Sequence, residues 1–172
     1  MDYNLCESNS AKEIIDFLAW ENKSIAIVES CTGGLINYTF SQISGASSVF
    51  RGGIVSYQNE VKINVLGIDE RILAQKSAYS VEVVDLMLKQ ICEIMNSDFA
   101  IATSGIAGPN GGSAEMPVGS VFVGVKQRAQ KSIIKKEIFS GNRTAIQSQA
   151  TQFALDLFKK SFISHTNYDA KC

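Results

Sequence analysis

Histidine is almost missing from this chain. His165 is the only one, and it lies seven residues from the C-terminus in a polar stretch. A serine–histidine triad or a multi-histidine metal centre would have to use it. Chain ends are where order is weakest, so an activated nucleophile here is expected to rely on another base, and no metal ligand set is expected. Cysteine is scattered: Cys6, Cys31, Cys92 and Cys172 form no Cys-x-x-Cys pair. That argues against a zinc site and against a disulfide framework. No apolar run approaches the ~18 residues that a membrane helix needs. The start, Met1-Asp2-Tyr3-Asn4, lacks the basic region and apolar stretch of a secretory signal. A cytoplasmic protein with no membrane partner is the expectation. Charge of one sign is also lacking, with 16 basic and 17 acidic side chains and a net charge of -1. Non-specific nucleic-acid binding needs a basic excess or stripe, so no nucleic-acid partner is expected. The denser basic clusters, Lys131/Lys135/Lys136 and Lys159-Lys160, read as solvated faces.

What is present is enough apolar material for a core: 172 residues, 45% hydrophobic and 19% charged. That composition predicts one folded domain over residues 1–163 with a flexible tail over 164–172. Helical spacing of Ile14, Ile15, Leu18 and Ala19 predicts a helix over 8–22, capped by Ser8 or Ser10. The apolar run 24–28 predicts a buried strand, followed by a helix over about 33–42. A second strand is predicted over 50–57, where Gly52-Gly53 imply a bulge or the close approach of a ligand. A short helix begins near Asn59, its plausible cap, and ends at Gly67. A helical turn over 69–75 and a longer helix over about 81–95 follow. Ser80 caps the longer helix, and Val81, Val84, Leu88, Ile91 and Met95 form its apolar stripe. Strands are predicted over 98–103, 118–125 and 132–139, the last two as an antiparallel pair, and a final helix over about 144–163. Strands alternating with helices until a late hairpin predict an α/β fold, a three-layer α/β/α sandwich around a mixed, mostly parallel sheet.

Three turns of this scheme hold the candidate chemistry. Glu29-Ser30-Cys31-Thr32-Gly33-Gly34 joins the first strand to its helix. Amide N–H groups at a helix start have no intrahelical partner and favour negative charge. A hydroxyl beside such donors is half of an acyl-transfer site, a nucleophile with an oxyanion hole. Equally, Ser30 or Thr32 serves only as a helix cap, with Gly33 and Gly34 making a tight turn. Tyr57 and Lys62 fall at the end of the second strand and just inside the next helix. The third turn, Ser104-Gly105-Ile106-Ala107-Gly108-Pro109-Asn110-Gly111-Gly112, carries enough glycine for backbone amides to converge on an anion or a sugar. It matches neither the P-loop nor the dinucleotide-binding pattern. Arg143 lies in the first turn of the last helix, where a cation opposes the helix dipole. It either grips an anion or is a plain surface arginine. Open α/β folds gather such turns along one sheet edge, where ligands bind.

Taken together, Glu-Ser-Cys-Thr-Gly-Gly (29–34), Phe-Arg-Gly-Gly-Ile-Val-Ser-Tyr-Gln-Asn-Glu-Val-Lys (50–62), Ser-Gly-Ile-Ala-Gly-Pro-Asn-Gly-Gly (104–112), Pro-Val-Gly (117–119) and Gly-Asn-Arg (141–143) resemble the CinA C-terminal domain family. Its stand-alone members include the PncC-type nicotinamide-nucleotide amidohydrolases. The resemblance implies deamidation of nicotinamide mononucleotide to nicotinate mononucleotide and ammonia, within pyridine nucleotide recycling. It implies a serine–lysine mechanism with no metal and no cofactor, and a homodimer or larger homo-oligomer. By position, Ser30 resembles the nucleophile and Lys62 the general base, with Tyr57 assisting proton transfer. Thr32, Gly33, Gly34, Gly53, Ser104, Gly105, Gly108 and Arg143 take the place of the substrate-binding groups. The helix amides near Thr32 to Gly34 are expected to hold the oxyanion. Cys31 is a rival nucleophile, since a thiolate attacks more readily than a hydroxyl. Two departures stand out: Ser77 and Tyr79 occupy a segment that is usually Gly-Ala-Val-Ser, and Met116 precedes Pro117 where lysine is common. Both are expected at a rim of the site or at a subunit contact. Because this domain also occurs fused to others in competence-associated proteins, a non-catalytic binding domain is the competing expectation, as is an amidase for a related amide.

Overall fold

A computed structural model describes residues 9–164; Ser8, the rest of the N-terminal segment and His165 to Cys172 lie outside the described residues. The order of elements is α1 (Asn9–Glu21), β1 (Ile25–Glu29), α2 (Leu35–Ser41), β2 (Phe50–Val55), α3 (Asn59–Asn64), α4 (Glu70–Lys76), α5 (Val81–Ile94), β3 (Phe99–Gly105), β4 (Ser120–Gln127), β5 (Ile133–Ile138) and α6 (Arg143–Phe158). A 3-10 turn precedes β2, and a π-helical turn continues α6 through Lys159–Ile163. Each predicted element is present, with ends shifted by a few residues.

The sheet runs β2-β1-β3-β4-β5. β1 pairs in parallel with β2 and β3, while β4 is antiparallel to both β3 and β5. The sheet is therefore mixed, and four of its five strands point the same way. Strand alternation divides the core into two. Ile25, Ile27, Phe99, Ile101, Val121, Val123 and Val125 face α1, α2 and α6. Ala26, Val28, Ala100 and Ala102 face α5 with Leu66, Ile68 and Leu73. The second face is lined by smaller side chains, which lets α5 lie close. A Cβ on Gly124 would sit 2.7 Å from Leu88 Cδ1 and 2.8 Å from Val84 Cγ1.

Three local expectations change. Ser10 lies inside α1 and donates to Asp156 Oδ1 at 3.1 Å, so it is not the cap. The N-cap of α3 is Gln58, and Asn59 is the first helical residue. Val81 is half exposed, and the buried stripe of α5 is Val83, Val84, Met87, Leu88, Ile91 and Cys92. Ser80 does cap α5, accepting from the Val83 amide. Among the described residues no helix is long and apolar enough to cross a membrane, and no group of three or more His, Cys, Asp or Glu side chains gathers to hold a metal ion.

Because β1 and β3 are parallel neighbours, the turn after Glu29 and the loop after Gly105 emerge at the same end of the sheet. β2 ends there too, since Glu29 pairs with Val55. That geometry brings the three motif-bearing turns together.

Candidate active site

The turns enclose a cavity of about 450 Å³. Ser30, Cys31, Tyr57, Asn59, Lys62, Gly105, Gly108, Asn110, Gly111 and Arg143 contribute to its wall, with Leu73 and residues 77–79 closing another side. Two basic side chains, Lys62 and Arg143, therefore border it, and no carboxylate of the described residues does. Among the described residues neither Lys62 nor Arg143 forms an ion pair.

Ser30 is fixed by its backbone. Its amide donates to Thr103 O at 2.9 Å, and its carbonyl accepts from the Gly33 amide at 3.1 Å. The side chain is buried. Lys62 lies in α3, which starts four residues after β2 ends, and its ammonium end is folded inward. The residue is 1% exposed. Its Nζ donates to Ser56 O at 2.7 Å and reaches Ser30 Oγ at 3.5 Å. The second distance is at the outer limit of a hydrogen bond, and catalytic contacts are commonly loose before substrate enters. Burial pushes the Lys62 pKa below the usual lysine value, while the nearby Cys31 sulfur works the other way. Desolvation disfavours the charged form, and one carbonyl and one hydroxyl do little to offset it.

Cys31 lies beside this pair on the cavity wall. Burial first, and then the negative charge of Glu29, drive its pKa up to about 12. The thiol stays protonated near neutral pH, and a thiol is a poor nucleophile.

Glu29 is the residue whose part the sequence did not disclose. Its side chain is fully buried. Oε2 accepts from the Gly34 and Ile36 amides, each at 3.1 Å. Oε1 accepts from the Asn37 amide at 2.8 Å and from Asn37 Nδ2 at 2.7 Å. The last residue of β1 thus caps α2 from outside the helix, since Gly34 offers no side chain to do so. A carboxylate suits the positive end of a helix. The expected oxyanion donors change accordingly: the Gly33 and Gly34 amides are already committed, to Ser30 O and to Glu29. The amides of Cys31 and Thr32 face the Cys31 sulfur, a weak acceptor. They are the donors of this turn not committed to an oxygen among the described residues.

The other expected binding residues divide. Gly105, Gly108 and Arg143 line the cavity. Thr32 and Ser104 do not: Thr32 Oγ1 meets Thr103 Oγ1 at 2.7 Å, and Ser104 Oγ donates to Ala78 O at 2.7 Å. Ser104 thereby anchors the 77–79 wall to β3. Gly53 is also absent from the wall. A Cβ there would lie 2.0 Å from Asn37 Oδ1 and 2.3 Å from Ile27 O, so what approaches Gly53 closely is the Asn37 side chain that also braces Glu29. The bulge predicted near these glycines is present, as a register shift between Ile25 and Ile27 opposite residues 50–53. Ser77 and Tyr79 border the cavity. Met116 packs against the core on the α5 side. Asn110, in the glycine-rich loop, and Asn59 were not singled out as binding groups by sequence; a polar residue at a loop or helix start has no signal separating lining from capping.

Arg143 begins α6 behind Asn142, whose side chain accepts from the Ala145 amide at 2.9 Å. One guanidinium nitrogen, Nη1, donates to Gly108 O at 2.6 Å, and the other, Nη2, donates to the Tyr57 hydroxyl. The guanidinium also stands 6.0 Å from the Tyr57 ring centre.

Known proteins share this sequence and shape. The nicotinamide-nucleotide amidohydrolase PncC of Escherichia coli (strain K12) is 39% identical over 143 residues, covering 83% of this chain and 87% of that protein. A putative competence-damage inducible protein of Thermoanaerobacter pseudethanolicus is 39% identical over 158 residues, which are 92% of this chain but 38% of that protein. The chain spans about two fifths or less of the length of several such longer relatives. The crystal structure of the competence damage-inducible protein A (ComA) from Klebsiella pneumoniae superposes with a TM-score of 0.87 at 29% identity, covering 92% of this chain and 98% of that one. The corresponding values for the competence/damage inducible protein CihA from Agrobacterium tumefaciens are 0.86 and 32%, with 90% and 94% covered. The family model for the CinA C-terminal domain matches residues 7–162, and the chain belongs to that family.

Proposed function

We propose that this protein is a serine–lysine amidohydrolase that deamidates nicotinamide mononucleotide to nicotinate mononucleotide and ammonia, a step in pyridine nucleotide recycling. The observation that carries the reading is the buried Lys62 Nζ at 3.5 Å from Ser30 Oγ, in a cavity bordered by two basic side chains and by no carboxylate of the described residues. The 39% identity to a PncC amidohydrolase supports the choice of substrate.

The chemistry follows from the groups present. Neutral Lys62 takes the Ser30 hydroxyl proton as Oγ attacks the carboxamide carbon. The Cys31 amide, on the cavity wall, stabilises the oxyanion that forms on the carbonyl oxygen. Lys62, now an ammonium, returns its proton to the amide nitrogen, the C–N bond breaks and ammonia leaves a nicotinoyl ester on Ser30. Water, deprotonated by the same lysine, attacks the ester, the Oγ–acyl bond breaks, and the ammonium returns its proton to Ser30 Oγ as the carboxylate product leaves. The anionic end of the nucleotide lies toward Arg143 and the glycine-rich loop, where charge and amide donors are available.

The test is ammonia release from nicotinamide mononucleotide, with and without EDTA, beside a Ser30→Ala control. Release that persists in EDTA and disappears in the variant is expected. Absence of release from folded protein refutes the reading. It would turn attention to another amide or to a binding domain, the alternative favoured by the longer relatives named for competence damage.

A further inference from the structure

Tyr57 is 54% exposed, unlike the buried pair it adjoins. Its hydroxyl accepts a hydrogen bond from Arg143 Nη2, while Lys62 Nζ is directed to Ser56 O and Ser30 Oγ. Arg143 in turn donates through Nη1 to Gly108 O. One side chain therefore ties three segments at the cavity mouth: the β2–α3 turn, the loop after β3 and the start of α6. Two of the guanidinium's five N–H groups are used in this way, and no carboxylate of the described residues neutralises it. The remaining N–H groups are free for a planar or tetrahedral anion. An arginine on an open rim loses rotamer freedom when it grips a ligand, and partners that hold it beforehand reduce that loss.

We propose that Tyr57 is a positioning residue for the anionic end of the substrate: it holds Arg143 in place to receive a phosphate monoester, and does not carry the proton between Ser30 and Lys62. The phosphate rests on the mononucleotide reading above. The tie between Tyr57 and Arg143 does not.

The test reads binding apart from turnover. Nicotinamide mononucleotide and nicotinamide riboside, which differ by the phosphate, are titrated calorimetrically into Ser30→Ala protein. The titrations are repeated with Tyr57→Phe, with Arg143→Ala and with both added. Tyr57→Phe is expected to weaken mononucleotide binding by about five- to tenfold, to leave riboside binding unchanged, and to add nothing once Arg143 is alanine. With Ser30 intact, the same substitution raises KM, whereas removal of a proton-transfer group would lower kcat by about a hundredfold or more. A kcat loss of that size at constant KM overturns the proposal. So does an equal loss for both ligands, a loss that persists without Arg143, no loss at all, or a protein that binds neither compound. Binding with the expected pattern but without ammonia release from the otherwise native protein refutes the amidohydrolase reading and leaves the Tyr57–Arg143 assignment standing.

Discussion

Two ionisable side chains, Glu29 and Lys62, lie buried near Ser30, and they are treated in opposite ways. Glu29 receives four N–H donors, at 2.7 to 3.1 Å. Lys62 has one carbonyl at 2.7 Å and a hydroxyl at 3.5 Å. Burying a charge is tolerable when hydrogen bonds replace the lost water. Glu29 meets that condition, and it ties the end of β1 to the start of α2. Lys62 falls short of it, so its proton is held loosely. A lysine that gives up its proton readily is a base. The site thus contains a satisfied buried group, Glu29 at the end of β1, and an under-satisfied one, Lys62 in α3, which the proposed mechanism uses as its base.

The contrast breaks most sharply at Lys62. Lys62→Ala is expected to lower kcat by about a thousandfold, within the range for a general base, with an unchanged circular dichroism spectrum; near-normal turnover would remove Lys62 from the mechanism. Glu29→Ala orphans buried amides and is expected to lose about 3 kcal/mol or more, a fall in Tm of about 6–12 °C. A Tm within 2 °C of the parent would show that the α2 amides find other partners.

Lys62→Met sharpens the comparison from the other side, because it should be inactive yet more stable at neutral pH. The folded pKa of Lys62 is lowered, so between that value and the ordinary lysine value the unfolded chain binds more protons. Stability therefore rises with pH across that window, and the penalty for burying the lysine is largest below it. The Met variant should lack this slope, as denaturant melts at several pH values would report. For the active protein, kcat/KM should climb as Lys62 deprotonates below the ordinary lysine range and level off above; a rise placed in the ordinary range would contradict the depressed pKa. The smallest effect is expected at Cys31. Its thiol is protonated near neutral pH, so Cys31→Ala should retain activity within a few-fold.

Much of this was legible in the sequence where pattern and chemistry coincide. The apolar run ending at Val28 and the polar, glycine-marked turn after it placed Ser30 correctly at a strand end. Order along the chain then implied that parallel strands would collect Ser30, Tyr57, Lys62 and the glycine-rich loop at one edge. The parts that were not legible depend on which neighbour claims a group first. Nothing local told Glu29 from any polar residue ending a strand, yet its carboxylate takes the Gly34 amide, which otherwise reads as part of an oxyanion hole. Gly53 read as making room for a ligand, and the room is filled by Asn37 Oδ1. Val81 fits helical periodicity, but it opens α5 at a position exposed to water, and spacing alone does not fix whether a first turn reaches the core.

The proposed mechanism requires Lys62 to stand neutral beside Ser30 at working pH. It is tested most directly by an NMR titration of protein labelled with 15N at lysine Nζ and 13C at Cε, with Lys62→Met identifying the resonance. Lys62 is expected to lose its proton at lower pH than the exposed lysines, in step with the rise of kcat/KM. A Lys62 signal that titrates together with them, in a protein fully active at neutral pH, would contradict it.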